Sequence, residues 1–364
     1  MESIRVLKKN DYDQLYLLRR ICFDILTEDY ENYCRENYYD EENWIGLFYS
    51  HKLVSVVWIK PLFLNFNSII VKAGGLGSVA TLPEFRNRGY SKTLINKALE
   101  EMNSKGYLLS SLAPFLQSFY EKFGYVHSFD FKEITYQTEK LKHLEKEYSV
   151  DEVNENHCEE LIKARQHNLN RYQLMGYRNE YYTKQYLKKY DVKQYRIVRI
   201  GDEGYLVFKE YQNMVKLIEI EYKNIEILSV LLAYIYNVYS NKEKIVIVSP
   251  DDNIIKDYIG VTPDEEKILY GKMTKVINVK KILEMTSFGE DFVMKVDNEK
   301  YDIKNRQILM TDKEEDIAFS IQSFTQYILG IRALDDLLFL GQVKMRRKLD
   351  IGITKKIIYE NEGY

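Results

Sequence analysis

Residues 77–91 read Gly77-Ser78-Val79-Ala80-Thr81-Leu82-Pro83-Glu84-Phe85-Arg86-Asn87-Arg88-Gly89-Tyr90-Ser91, the stretch of this sequence best suited to chemistry. A strand-like apolar run meets a proline-broken connector, then a basic turn with one glycine, then residues of helical period. The first N–H groups of a helix have no acceptor within it, so such a turn can hold a pyrophosphate. Gly89 would let the backbone approach the phosphates, small Ser91 keeps that approach clear, and Arg86 and Arg88 add positive charge at the mouth. The other reading is an ordinary strand-to-helix turn with solvated arginines, because short glycine motifs often arise by chance.

A second stretch follows about thirty residues after Tyr90: Ser118-Phe119-Tyr120-Glu121-Lys122-Phe123-Gly124-Tyr125. Phe119 and Phe123 at i,i+4 pack inward, and Gly124 ends the helix with a left-handed cap. Tyr120 lies beside that face, where a phenol can look into a cleft. By itself it reads first as a packing or hydrogen-bonding tyrosine, in a chain with 32 of them.

Together the two stretches resemble the GNAT superfamily of N-acetyltransferases. The family's Arg/Gln-x-x-Gly-x-Gly/Ala turn is matched by Arg86-x-x-Gly89-x-Ser91, with serine as a mild departure, and its phenol-bearing helix start by Phe119-Tyr120-x-x-Phe123-Gly124. The run Gly74-Gly75-Leu76-Gly77-Ser78-Val79-Ala80-Thr81 and the length of 364 residues further resemble the enhanced-intracellular-survival branch. That resemblance implies two tandem GNAT-like mixed-sheet α/β domains, followed by an α+β domain similar to sterol carrier proteins. The expected boundaries are 1–138 for the catalytic domain, 139–273 for a second domain and 274–364 for the third. No Arg-x-x-Gly-x-small turn occurs in residues 139–273, so the second domain is expected to be a degenerate copy that binds no coenzyme.

The resemblance implies acetyl-CoA as cosubstrate, with no metal. Pyrophosphate would rest on the amides of Arg86, Asn87, Arg88, Gly89, Tyr90 and Ser91. The pantetheine arm would run beside Val79, Ala80 and Thr81, with the oxyanion at the Val79 N–H and Tyr120 protonating the leaving thiolate. No side chain near the motifs is an evident base. In the resembled branch the chain's terminal carboxylate serves, which here is that of Tyr364, set against the ordinary fate of a frayed tail. Asp24, Glu28 and Asp29 end the first helix, where this fold places its acceptor pocket; a solvated acidic loop is the plain alternative. Such acids would attract an aminoglycoside, a polyamine or a lysine. The resemblance also implies a homo-oligomer, a hexamer. The rival functions are a hydrophobic-ligand carrier, which needs an open apolar tunnel in residues 274–364, and a non-catalytic acyl-CoA sensor.

The elements that must position these residues alternate between helix and strand. A strand at residues 4–7, a helix with Leu15, Leu18, Cys22 and Ile25 at helical spacing, and a hairpin over residues 44–62 precede the first motif. Gly74 and Gly75 interrupt the apolar pattern and suggest a bulge or bend. The helix at residues 90–104 carries Leu94, Ile95, Ala98, Leu99 and Met102 on one face. Residues 139–156, rich in Lys and Glu, read as a linker or an exposed helix. A similar strand and helix order then recurs to residue 249.

Composition excludes several classes. A net charge of −3 without a basic run gives no reason to expect nucleic acid. Cys22, Cys34 and Cys158, with five histidines, make no metal-ligand spacing. The most apolar stretch, residues 227–239, is too short to span a bilayer and contains Ser229 and Asn237. The opening Met-Glu-Ser leads directly into a strand without a signal peptide, and a cytoplasmic protein is expected.

Overall fold

The computed structural model describes residues 1–23, 27–37, 41–305 and 307–362. The chain forms two compact units: Met1–Leu26, Tyr39–Ser128 and Lys272–Tyr364 make the first, Thr27–Tyr38 and Phe129–Gly271 the second. Both carry a mixed α/β sheet, as the sequence predicts.

The first unit begins with β1 (Glu2–Val6) and α1 (Tyr12–Cys22); α2 (Glu28–Asn37) belongs to the second unit. Then β2 (Trp44–Tyr49), β3 (Lys52–Phe66) and β4 (Ile69–Thr81) form an antiparallel meander in the order β1-β2-β3-β4. The helix α3 (Tyr90–Ser104) crosses over to β5 (Leu109–Leu112), which lies parallel to β4, and α4 (Gln117–Glu121) follows. Five of the six consecutive residues Leu53 to Trp58 of β3, all but the polar Ser55, supply buried apolar side chains, because elements cover both faces of this strand. On α3, Leu94, Ile95, Ala98 and Met102 are fully buried at helical spacing.

The glycine pair at 74–75 is not where the sheet bulges. β4 pairs with β3 without interruption there, and the register slips instead between Val56 and Trp58, opposite Ser78 and Val79, with Ser78 left-handed at φ 47°. Gly74 has a packing cause: a Cβ there would meet Met102 Sδ at 2.7 Å, so its absence lets α3 sit close to the strand.

The second unit contains β6 (Val126–Gln137, from Phe129 on), β7 (Asp151–Glu152), α5 (Cys158–Leu169), α6 (Glu180–Val192), β8 (Arg196–Ile200), β9 (Gly204–Glu210), β10 (Met214–Tyr222), α7 (Ile225–Tyr239), β11 (Lys244–Ser249), α8 (Ile254–Ile259) and the start of β12 (Glu265–Val276). Its pattern repeats the first: β8, β9 and β10 are antiparallel, then α7 crosses to β11, parallel to β10. The charged stretch after residue 138 is tied in by Leu141 and Leu144, which are buried in this unit's core.

Residues 272–276 of β12 return to the first unit and pair antiparallel with β5, Met273 opposite Leu112 and Thr274 opposite Ser111. After α9 (Val279–Glu284), a five-stranded sheet is built from β13 (Phe292–Val296), β14 (Glu299–Lys304), β15 (Gln307–Met310), β16 (Ile317–Phe319) and β17 (Val343–Met345), in the order β15-β14-β13-β16-β17, with α10 (Ile321–Ile328) and α11 (Leu334–Phe339). This last region is α+β. Among the described residues no helix is long and apolar enough to cross a membrane.

Candidate active site

At the C-terminal end of β4 the bulge changes which groups face β3. β4 and β5 are paired only from Ala73 to Gly75, so residues 76–81 have no ladder partner on the β5 side. After Thr81 the chain makes a short 3-10 turn at Pro83–Phe85, becomes extended at Arg86, and enters α3 through a left-handed Gly89 at φ 81°. No side chain caps that helix, and its first intrahelical backbone bond runs from Thr93 N–H to Gly89 O at 3.0 Å. The amides before Thr93 therefore have no intrahelical acceptor and carry the positive end of the helix dipole.

A cavity of about 520 Å³ opens on this turn. Val79, Ala80 and Thr81 line it from β4, and Arg86, Asn87, Gly89, Tyr90 and Ser91 from the turn. Arg88 is absent from the wall: its guanidinium donates to Glu84 O at 3.4 Å and lies 5.0 Å from the Phe85 ring centroid. Arg86 does face the cavity, held by an Nε bond to Thr81 O at 3.2 Å. Ser91 is more than a small residue, since its Oγ lies 2.9 Å from Thr81 Oγ1, itself 2.7 Å from Ser55 Oγ.

Sequence reasoning missed Cys22, Phe23, Phe85, Lys92, Phe115 and Phe119, which complete the wall. Phe85 lies inside the first stretch and Lys92 follows it directly, so both were within reach of the sequence; Cys22, Phe23, Phe115 and Phe119 come from other elements. Burial pushes the Cys22 thiol up despite Arg86 beside it, so it stays protonated at neutral pH.

Tyr120 is 4% exposed and not on the cavity wall, where Phe115 and Phe119 stand instead. Its ring meets Phe119 edge-on at 5.1 Å and Phe115 at 5.5 Å, and lies 6.2 Å from Tyr125. Burial pushes its phenol up to about 12, which keeps the proton on at neutral pH. Tyr125 is fully buried and its hydroxyl is 2.6 Å from Ser110 Oγ. Gly124 is left-handed at φ 84°, as the cap pattern predicts.

Asp24 and Tyr364 lie outside the described residues. Glu28 and Asp29 are exposed in the first turn of α2, in the second unit, where Asp29 lines an open groove of that unit with Asn32, Glu36 and Asp191. The segment before the chain end is buried rather than frayed. Glu360 is 0% exposed and accepts from Ser111 Oγ at 2.7 Å and Glu362 N–H at 2.8 Å. Lys272 stands 3.5 Å from Glu360 and donates to Glu362 O at 2.7 Å, and burial lowers its pKa. Alternation along β5 sends Ser110 toward Tyr125 and Ser111 to the opposite face, where this segment lies.

The corresponding place in the second unit is chemically closed. Asn224 caps α7, its Oδ1 accepting from Ile227 N–H at 3.0 Å, and β10 runs into that cap without a glycine turn. Beneath a bulge between Leu217 and Glu219, buried Arg178 forks onto Glu219 at 2.8 and 3.1 Å while Arg165 reaches Glu221 at 2.9 Å. Burial pushes Glu221 up to about 7. Among the described residues no group of His, Cys, Asp or Glu is arranged to hold a metal ion.

Residues 3–128 match the family model of the acetyltransferase (GNAT) domain. No curated protein sequence matches the chain significantly. Its fold is similar to that of a GCN5-related N-acetyltransferase from Kribbella flavida (15% identity, TM-score 0.85, covering 100% of this chain and 98% of that one). It is also similar to a GCN5-related N-acetyltransferase from Anabaena variabilis (15%, 0.84, 100% of each chain) and to Eis1 from Mycobacterium abscessus (13%, 0.79, 100% of each chain). At these identities the likeness is one of fold, and the domain match carries the chemistry. GNAT enzymes use acetyl-CoA and amine acceptors. The chain thus carries an acetyltransferase domain of the GNAT kind at residues 3–128, within a fold similar over its full length to that of Eis1.

Proposed function

We propose that the chain moves an acetyl group from acetyl-CoA to a primary amine of a small polycation, an aminoglycoside or polyamine, or of a lysine, in the cytoplasm and as a homo-oligomer, a hexamer. The observation that carries the coenzyme half is the uncapped start of α3 at Gly89. A Cβ built there meets nothing within 4 Å, so the space beside this backbone is open. The cavity has the size usual for ligand sites, and its wall includes Arg86 but no carboxylate among the described residues. These residues fit a pyrophosphate-bearing ligand.

In this reading the amides of residues 86–91 hold the pyrophosphate, with Arg86 supplying charge and Arg88 contributing less because it is turned onto Phe85. Val79, Ala80 and Thr81 offer an edge that a pantetheine amide can pair with, as an added strand would. The coenzyme supplies the activated acyl thioester. The Val79 N–H is assigned to the developing oxyanion, where a fixed donor contributes most. Tyr120 is assigned the proton for the sulfur, its buried phenol being protonated at working pH. Asp24, Glu28 and Asp29 are assigned to the cationic acceptor. The carboxylate of Tyr364 is assigned as base, supported by the burial of Glu360 and Glu362 just before it.

A carrier function is not favoured. The cavity of about 320 Å³ in the C-terminal region is lined by Glu284, Glu290, Asp291 and Asn305 beside Phe288 and Ile303, which is no apolar tunnel. The test is release of free thiol from acetyl-CoA across a panel of polyamines, aminoglycosides and lysine peptides. Turnover with one class is expected. Tight coenzyme binding with no turnover on any amine would return the protein to an acyl-CoA sensor. Fusing residues after Tyr364 should lower kcat with coenzyme affinity intact.

A further inference from the structure

We infer that Lys272 and Glu360 are positioning residues: their buried pair locks the last residues of the chain in one register and thereby sets where the terminal carboxylate stands. The inference rests on the reading of the Tyr364 carboxylate as base, and it concerns two residues that touch neither coenzyme nor amine in that reading.

The sheet face beneath the tail is the first ground. Three neighbouring strands, β5, β12 and β6, contribute Ser111, Lys272, Thr274 and Ser128, all of them buried. Thr274 stands opposite Ser111 in the ladder and Lys272 is two residues before it, so the three share a face. Ser128 Oγ lies 2.8 Å from Thr274 Oγ1 and donates to Lys272 O at 2.8 Å. Polar side chains on a covered face are costly unless something polar lies on them. The tail supplies it. Glu360 accepts from Ser111 Oγ at 2.7 Å and stands 3.5 Å from the Lys272 ammonium, which also donates to Glu362 O at 2.7 Å. The same carboxylate turns back to accept from Glu362 N–H at 2.8 Å. A slip of one residue would set Tyr359 or Asn361 over Lys272 and leave a buried ammonium without its carboxylate. A buried pair adds little net stability over apolar residues of equal size, so register is what this one contributes.

The course of the tail is the second ground. Tyr327 Oη donates to Ile351 O, Lys356 N–H donates to Gly330 O at 3.0 Å, and a Cβ on Gly330 would meet Thr354 O at 2.9 Å. These ties fix the path as far as Lys356 and leave the register of the last residues to Lys272 and Glu360. The anchor also lies at the right place. Ser111 pairs with Gly75, the last ladder pair before β4 parts from β5, and residues 79–81 beyond that fork line the cavity. Glu360 is four residues from Tyr364, a reach of no more than about 14 Å. A slip of one residue would move the end by about 3.3 Å, and a misplacement of about 1 Å can lower a rate a hundredfold.

Lys272→Met alone strands the carboxylate, so the test combines it with Glu360→Gln in the full-length protein, with folding checked by thermal melt. With the amine that turns over best in the thiol-release panel, kcat should fall about a hundredfold at unchanged KM for acetyl-CoA. Carboxypeptidase should release the terminal residues at least about tenfold faster than from the wild type. Ser111→Ala removes one donor and little bulk, covers the case in which the double variant unfolds, and should give the same split at about tenfold. In a protein fused after Tyr364, the double substitution should lower kcat no further, because both changes act through one group. The inference is overturned if a folded variant of either kind turns over like the wild type, if carboxypeptidase acts on all alike, or if the losses from fusion and substitution add. Those outcomes leave the base reading standing. A fusion that leaves kcat intact overturns that reading itself and the inference with it.

Discussion

Thr81 Oγ1 lies 2.9 Å from Ser91 Oγ, which fastens the last residue of β4 to the first turn of α3. Strand end and helix start are thus held as one rigid corner, and Ser55 Oγ on β3 extends the tie at 2.7 Å from Thr81. The cavity is built on that corner, so changes there should act on the coenzyme before they act on the amine.

Replacing Gly89 by valine should weaken CoA binding by at least about tenfold. The residue is left-handed at φ 81°, a region that costs a β-branched side chain about 1–2 kcal/mol, and the new side chain occupies the approach to the amides. Arg88→Ala should change affinity by no more than about twofold, because its guanidinium is turned onto Phe85 and Glu84. Calorimetric titration with CoA checks the order; equal effects would place the pyrophosphate elsewhere.

Tyr120→Phe should lower kcat by about a hundredfold or more with CoA affinity unchanged, since one proton donor is lost at nearly constant volume. Steady-state rates and titration decide it, and an unaltered kcat would leave Tyr120 a packing residue.

The same substitution has a stability signature. The folded phenol titrates near 12 because of burial, above its ordinary value of 10.0, so ionisation is disfavoured in the native state. The contribution is fully present below pH 10 and is lost as pH rises toward 12. Thermal melts from pH 8 to pH 11 should therefore fall less steeply for Tyr120→Phe than for the wild type.

One CoA should bind per chain. Asn224 supplies to α7 the cap that α3 lacks, and the Arg178–Glu219 pair fills the interior beneath the β10 bulge. A calorimetric stoichiometry of two would contradict this reading of the second unit.

Lys272→Met should destabilise the fold by about 3–5 kcal/mol, because it strands the buried Glu360 carboxylate without its cation. Adding Glu360→Gln should recover part of that loss. Urea unfolding of the two single variants and the double variant measures the coupling, and simple additivity would show that the pair is not one unit.

The local signals were legible in the sequence. Helical spacing found α3, the glycine after Phe123 announced the left-handed cap at Gly124, and strand and helix order announced the repeat of one mixed sheet. These features depend on near neighbours in the chain, so composition and period determine them. Three others were decided only by the tertiary structure. The bulge falls at Ser78 and Val79 rather than at the glycine pair, because register depends on the facing strand, and Gly74 answers instead to Met102 on α3. Arg86 and Arg88 look equivalent in sequence but diverge, one held by Thr81 O and the other drawn over the Phe85 ring. Glu360 meets Ser111 across 249 residues of chain, a pairing that no local pattern encodes because it arises only when β12 is laid against β5.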